Sequence, residues 1–173
     1  MRLIITGTPG TGKSEVSKIL SRVLGLELIQ LKKIARENGL ISAHHEVDIK
    51  KLGHALRSLK RNRGYVVEGH LACELKLPCD VVVVLRCRPE VLKRRLAKRR
   101  YGKAKTEENI LVEVLDYCVQ RVEQEYGVRP LECDTTQRTA KGSASAIISA
   151  MKQKKKKLDS IDYTYYLKPG RVQ

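Results

Sequence analysis

Residues 7–14, GTPGTGKS, fit the pattern G-x-x-x-x-G-K-S. They stand between a β-branched apolar run, RLIIT at 2–6, and a segment whose Val16, Ile19, Leu20, Val23 and Leu24 fall at helical spacing. A strand, a glycine-rich turn and a helix in that order point backbone N–H groups and a helix N-terminus at an anion. Glycine at 7, 10 and 12 lets the amides turn inward around a β-phosphate, where side chains would block it. Lys13 is expected to neutralise β and γ oxygens and the Ser14 hydroxyl to ligate Mg²⁺, with Gly10, Gly12 and Glu15 beside the same ATP. The alternative is a glycine-rich turn without function, but a chance match in a chain of this size is on the order of 1%.

The remaining chain continues the alternation that this opening sets up. A second strand is read at 26–30. A helix through Leu31, Ile34 and Ala35 ends near Gly39, and a basic helix over about 49–62 buries Leu52, Ala55, Leu56 and Leu59. A strand at 65–68 follows Gly64, and DVVVVLR at 80–86 is apolar on both faces, as a sandwiched parallel strand should be. After Pro89 a helix carries Val91, Leu92 and Leu96 into a dense basic stretch around Gly102, read as a mobile loop. A long amphipathic helix is expected over about 106–126, a last strand at 130–134, and a last helix at 139–151 with Ala144, Ile147, Ile148 and Met151 on one face. Five strands alternating with helices predict an α/β P-loop NTPase fold, a five-stranded parallel sheet with helices on both faces. One domain over 1–151 results, with an acceptor segment at about 30–53 and a lid at about 98–108. Residues 152–173 lack either periodicity and read as a basic C-terminal tail.

Composition limits what this domain meets. The chain of 173 residues is one domain's worth, and its net charge of +16 implies attraction to phosphates in nucleotides, RNA or an anionic surface. With seven Tyr and no Phe or Trp, Val, Ile and Leu must fill the core and base-stacking platforms are scarce. The longest apolar run, 81–85, is far short of a membrane span, and Met1-Arg2 leads straight into a strand, so a soluble cytoplasmic protein with no membrane partner is expected. Five cysteines without C-x-x-C spacing read as free thiols.

Among P-loop proteins, a GTPase should carry N-K-x-D, which is missing, and a motor or transporter ATPase normally needs a longer chain or a partner domain. What remains resembles a small nucleoside monophosphate kinase. The resemblance narrows further through ITGTPGTGKS, the IAREN after the second strand, Glu68-Gly69-His70 and the VVVVLRCRPEVLKRRLAKRRY…EEN run. In that order they look like the atypical adenylate kinase family that also acts in late small-ribosomal-subunit maturation, in an archaeal-like member. The likeness covers residues 2–126, with Asp134-Thr135-Thr136 as a weaker marker. The family pattern has Asp where Glu68 stands and Gly where Arg100 stands.

Glu68 ends an apolar strand at the edge where open α/β sheets bind ligands, so it can hold Mg²⁺ through water or orient a nucleophile; a solvated charge is the alternative. The resemblance gives His70 a role in positioning water or the phosphoryl group, against the alternative of a structural or exposed histidine. Residues 86–105 hold ten basic side chains and one acid. Phosphoryl transfer needs such charge, though a solvated or RNA-contacting face would look the same. By the family pattern Arg99 is the lid arginine on ATP and Arg36 the monophosphate residue, while residues 134–136 border the adenine pocket. The implied catalytic set is Lys13, Glu68, His70 and Arg99, with Ser14 and Glu68 on the metal. The implied activity is transfer from Mg·ATP to AMP or other nucleoside monophosphates, with slow ATP hydrolysis. The implied partners are a protein of the small-subunit ribosomal platform and rRNA. The rival from another class is an assembly factor that uses ATP hydrolysis as a switch, with kinase turnover incidental.

Overall fold

Five strands, β1 (Arg2–Thr6), β2 (Glu27–Gln30), β3 (Tyr65–Glu68), β4 (Val81–Arg86) and β5 (Leu131–Asp134), form one parallel sheet in the order β2-β3-β1-β4-β5. The computed structural model describes residues 1–43, 46–57, 59 and 64–167. Its helices are α1 (Lys13–Leu24), α2 (Leu31–Glu37), α3 (Ile49–Ala55), α4 (Pro89–Lys98), α5 (Lys103–Val114), α6 (Tyr117–Tyr126) and α7 (Ala140–Lys152). The expected α/β class and sheet are therefore present.

The period-two geometry of the strands divides the core. Leu3 and Ile5 of β1, with Val83 and Leu85 of β4, pack under Val16 and Leu20 of α1 and Ala144 and Ile147 of α7. Ile4, Val82 and Val84 face the other way, onto Leu52, Leu56, Cys118 and Val122. Each fully buried Val, Leu or Ile contributes about 1.5–3 kcal/mol, so a strand buried on both faces is held about twice as firmly per length as a half-buried one. The chain runs from β3 past β1 to β4, so the C-terminal ends of β1, β3 and β4 lie together at a switch in strand order, the usual place for a ligand.

Four expectations need correction. Ala55 is exposed, although Leu52, Leu56 and Leu59 are buried as expected, and the helix expected over about 49–62 stops at Ala55 with Leu56 as its C-cap; residues 58 and 60–63 lie outside the described residues. The long helix over 106–126 is two helices. Asp116 breaks it in the left-handed region at φ 54, its carboxylate on the Arg86 guanidinium and its carbonyl accepting the Val119 and Gln120 N–H groups that start α6. The basic loop around Gly102 is short: α4 runs through Lys98 and α5 begins at Lys103, so only 99–102 lie between helices. Arg100 there adopts φ 59, a conformation that glycine takes freely.

The fourth correction concerns the tail. Residues 158–167 fold back on the domain. Asp159 forms an ion pair with Arg138, accepts the Asp134 N–H at 2.8 Å and donates its own N–H to the Glu132 carbonyl at 3.2 Å. Tyr163 and Tyr166 are buried against Ile110 and Val114 of α5, and the Tyr163 ring lies 5.3 Å from the Arg86 guanidinium carbon. Among the described tail residues only 152–157 remain as an exposed basic run; residues 168–173 lie outside the described residues.

Candidate active site

The loop after β1 holds Gly7, Gly10 and Gly12 at φ 133, 96 and 97. A Cβ on Gly7 would stand 2.3 Å from the Leu85 carbonyl oxygen of β4, so the loop lies against the sheet edge only as glycine there. Gly12 opens α1, and a Cβ on it would meet nothing within 4 Å: its glycine serves the left-handed turn that aims the helix N-terminus at open space. Lys13 is 8% exposed, and its ammonium donates to the Gly7 and Thr8 carbonyls at 2.8 and 2.9 Å. It thus rests under the loop rather than projecting from it. Burial lowers its pKa, against the opposing pull of Glu68 and Glu113.

At the end of β3, Glu68 is buried and accepts the Ser14 hydroxyl on one carboxylate oxygen at 3.2 Å and the Gln30 amide on the other at 3.3 Å. The two residues expected at the metal are therefore in contact. Their hydroxyl and carboxylate are the hard oxygen donors that Mg²⁺ takes, so the residues present fit the ion. His70 follows at the head of a short 3-10 turn, His70–Glu74, with its carbonyl accepting the Thr6 hydroxyl at 3.1 Å. Its side chain is exposed and borders the larger cavity, whose walls and then the Lys13 ammonium push the imidazole below its ordinary value.

Two cavities meet at the loop. The smaller, about 320 Å³, lies between α4 and α7 and is lined by Glu15, Arg95, Thr135, Arg138 and Ser143. The larger, about 510 Å³, is bounded by α2, Glu68 and the start of α5, and its cations are Lys13, Lys32, Arg99 and Lys105. Gly10, Gly12 and Arg99 line both. Of the expected site residues, Gly10, Gly12, Lys13, Ser14, Glu15, Glu68, His70 and Arg99 all border one or both cavities. Arg36 does not: it lies on the exposed side of α2, whose cavity-facing residues are Leu31, Lys32 and Ala35. The basic stretch is also divided. Arg86 is a buried structural cation, whose guanidinium charge is kept against burial by Glu113 and Asp116. Arg95 is tied to the Thr135 hydroxyl and carbonyl at 3.0 and 2.7 Å.

Gln30, Lys32 and Glu113 were not legible as site residues. Gln30 meets Glu68 because the two are register partners between β2 and β3, a pairing no local pattern shows. Glu113 left one signal, an acid in helical step with Thr106 and Asn109 on the buried side of α5.

A parallel sheet with this loop at the end of its central strand and two cavities meeting there defines a P-loop protein of the small-kinase architecture. Residues 3–116 match the model of a family described as an AAA domain. The chain is 35% identical over 171 residues to a Methanocaldococcus jannaschii protein named "Putative adenylate kinase", covering 95% of this chain and 93% of that one. The protein of the same name from Methanothermobacter thermautotrophicus is 40% identical over 156 residues, covering 86% and 88%. The chain belongs to the AAA-domain family and to the family of these archaeal relatives. Among solved structures, it is similar to a shikimate kinase from Acinetobacter baumannii in complex with shikimate, with a TM-score of 0.68 at 20% identity over 89% of this chain and 94% of that one. A deoxyadenosine kinase from M. mycoides has a TM-score of 0.59 at 15% identity over 88% and 100%. These likenesses establish the P-loop kinase fold.

Proposed function

We propose that the protein transfers the terminal phosphoryl group of Mg·ATP to AMP, or more loosely to nucleoside monophosphates, and hydrolyses ATP slowly. The observation that carries this reading is that the two cavities share Gly10, Gly12 and Arg99, so a donor in one and an acceptor in the other would meet at the phosphate loop. The name of the archaeal relatives agrees with it. The smaller cavity, with Thr135 and Arg95, takes the adenosine of ATP; the larger takes the monophosphate, whose charge Lys32 and Lys105 answer. Ser14 and Glu68 would hold Mg²⁺, which supplies charge neutralisation when bound. Lys13 leaves the Gly7 and Thr8 carbonyls for phosphate oxygens, and Arg99 binds charge on the moving phosphoryl group. His70, neutral at physiological pH, accepts a hydrogen bond from water or acceptor rather than contributing a cation. Residues 30–53 and 98–108 keep their roles as acceptor segment and lid. Arg36 becomes a monophosphate ligand only if α2 turns on closure.

A second reading, a ribosome-assembly factor that uses ATP hydrolysis as a switch, is favoured by the +16 charge and the exposed lysines at 152–157, more cations than a kinase needs. Its partners would be a small-subunit platform protein near the acceptor cavity and rRNA. Two adenosines joined through five phosphates distinguish a two-site kinase from a one-site switch. The kinase reading predicts that this compound raises the melting temperature well beyond ATP or AMP alone; protection no greater than that by ATP contradicts it.

A further inference from the structure

We propose, resting on the nucleotide-binding reading above, that Glu113 is a positioning residue that fixes the phosphate loop through Thr8 and thereby sets the loop's affinity for nucleotide. Glu113 is 2% exposed, near the end of α5. One carboxylate oxygen accepts the Arg86 guanidinium at 2.8 Å and the Cys87 N–H at 3.0 Å. Those contacts alone would satisfy a structural ion pair. The other oxygen accepts the hydroxyl of Thr8, 105 residues away in sequence and 1% exposed.

Thr8 is the residue through which the loop's interior is organised. Its carbonyl accepts the Lys13 ammonium at 2.9 Å, the Thr11 N–H at 3.3 Å and the Thr11 hydroxyl at 2.8 Å. A carboxylate holding the Thr8 side chain therefore fixes the Thr8–Thr11 turn of the loop, which keeps its shape when Lys13 moves to phosphate oxygens. Arg86 orients that carboxylate, and is itself held by Asp116 and by Glu132 at 2.6 Å. The helix that carries Glu113 starts just after the turn bearing Arg99, so loop and lid are joined by one rigid element. A loop held in its binding shape gains affinity for ground state and transition state alike, so the effect belongs in KM.

The test is steady-state kinetics with ATP protection against melting, in Thr8→Val, Thr8→Ser, Glu113→Gln, the Thr8→Val/Glu113→Gln double variant and Lys13→Ala. Thr8→Val, which puts a methyl group where the hydroxyl stands, should raise KM for ATP about tenfold with kcat within about twofold. Thr8→Ser should restore KM to within about threefold of wild type, and Thr8→Val should add nothing in the Glu113→Gln background. A lowered melting temperature with unchanged KM, or fully additive KM effects, assigns Glu113 to the fold alone and overturns the proposal. If ATP protects wild type but not Lys13→Ala, while Thr8→Val behaves as wild type, the nucleotide reading stands and this proposal falls. If ATP neither protects wild type nor is consumed by it, both fall.

Discussion

His70 is the site residue whose charge state decides its chemistry. Its imidazole is pushed from an ordinary value near 6.5 to about 4 by desolvation and by the cations around it. Below pH 6.5 the unfolded chain binds a proton more readily than the folded chain, so a contribution to stability present above pH 6.5 is lost as pH falls towards 4; His70 is exposed, and solvent screening keeps that contribution small. Urea midpoints over pH 7 to 4 should show a slightly shallower fall in His70→Gln than in wild type; equal slopes would mean that the cavity and its cations leave the imidazole at its ordinary value. A neutral ring also suits a group that orients water. His70→Ala should therefore reduce ATP hydrolysis more than transfer to AMP, read as the ratio of phosphate released to ADP formed. An unchanged ratio would leave His70 a structural residue.

The turn between α4 and α5 carries Arg99, and Arg100 beside it is exposed at φ 59. A left-handed non-glycine residue costs about 1–2 kcal/mol, while glycine returns about 0.5–1 kcal/mol of that as unfolded-state entropy. Arg100→Gly should thus leave stability unchanged or raise it by up to ~1.5 kcal/mol. Arg100→Val, β-branched and therefore strained further at positive φ, should lower it. Urea unfolding of both checks the order, and a glycine variant less stable than the valine variant contradicts the account. The elements themselves were legible wherever their requirements are local. The phosphate loop, the both-faces-apolar β4 and the Glu68-Gly69-His70 edge need only neighbours in sequence. The break between α5 and α6 was hidden because Asp116 is held in its turn by Arg86, 30 residues away. The fold-back of 158–167 was hidden because its anchors, Asp159, Tyr163 and Tyr166, follow neither helical nor strand period and find partners in β5, Arg138 and α5.

At the scale of the whole molecule, the C-terminal segment joins a structural strap, 158–167, to an exposed cationic run, 152–157, and the two can be tested apart. Truncation after Met151 should cost about 3 kcal/mol or more, because it removes two buried tyrosines from α5. Replacing Lys154, Lys155, Lys156 and Lys157 with Gln should leave melting temperature and transfer rate near wild type. If the run contacts rRNA, the same replacement should weaken binding and flatten the dependence of log affinity on log salt. An unchanged salt slope would remove 152–157 from any RNA interface. The account as a whole turns on two cavities sharing one phosphate loop. Its most direct test is the rate of ADP formation from Mg·ATP plus AMP, set against phosphate release from Mg·ATP alone, in wild type and Lys13→Ala. The account predicts that AMP-dependent ADP formation exceeds phosphate release at least tenfold in wild type, and that Lys13→Ala loses both while remaining folded. Phosphate release that is fast and indifferent to AMP, or transfer that survives Lys13→Ala, would contradict it.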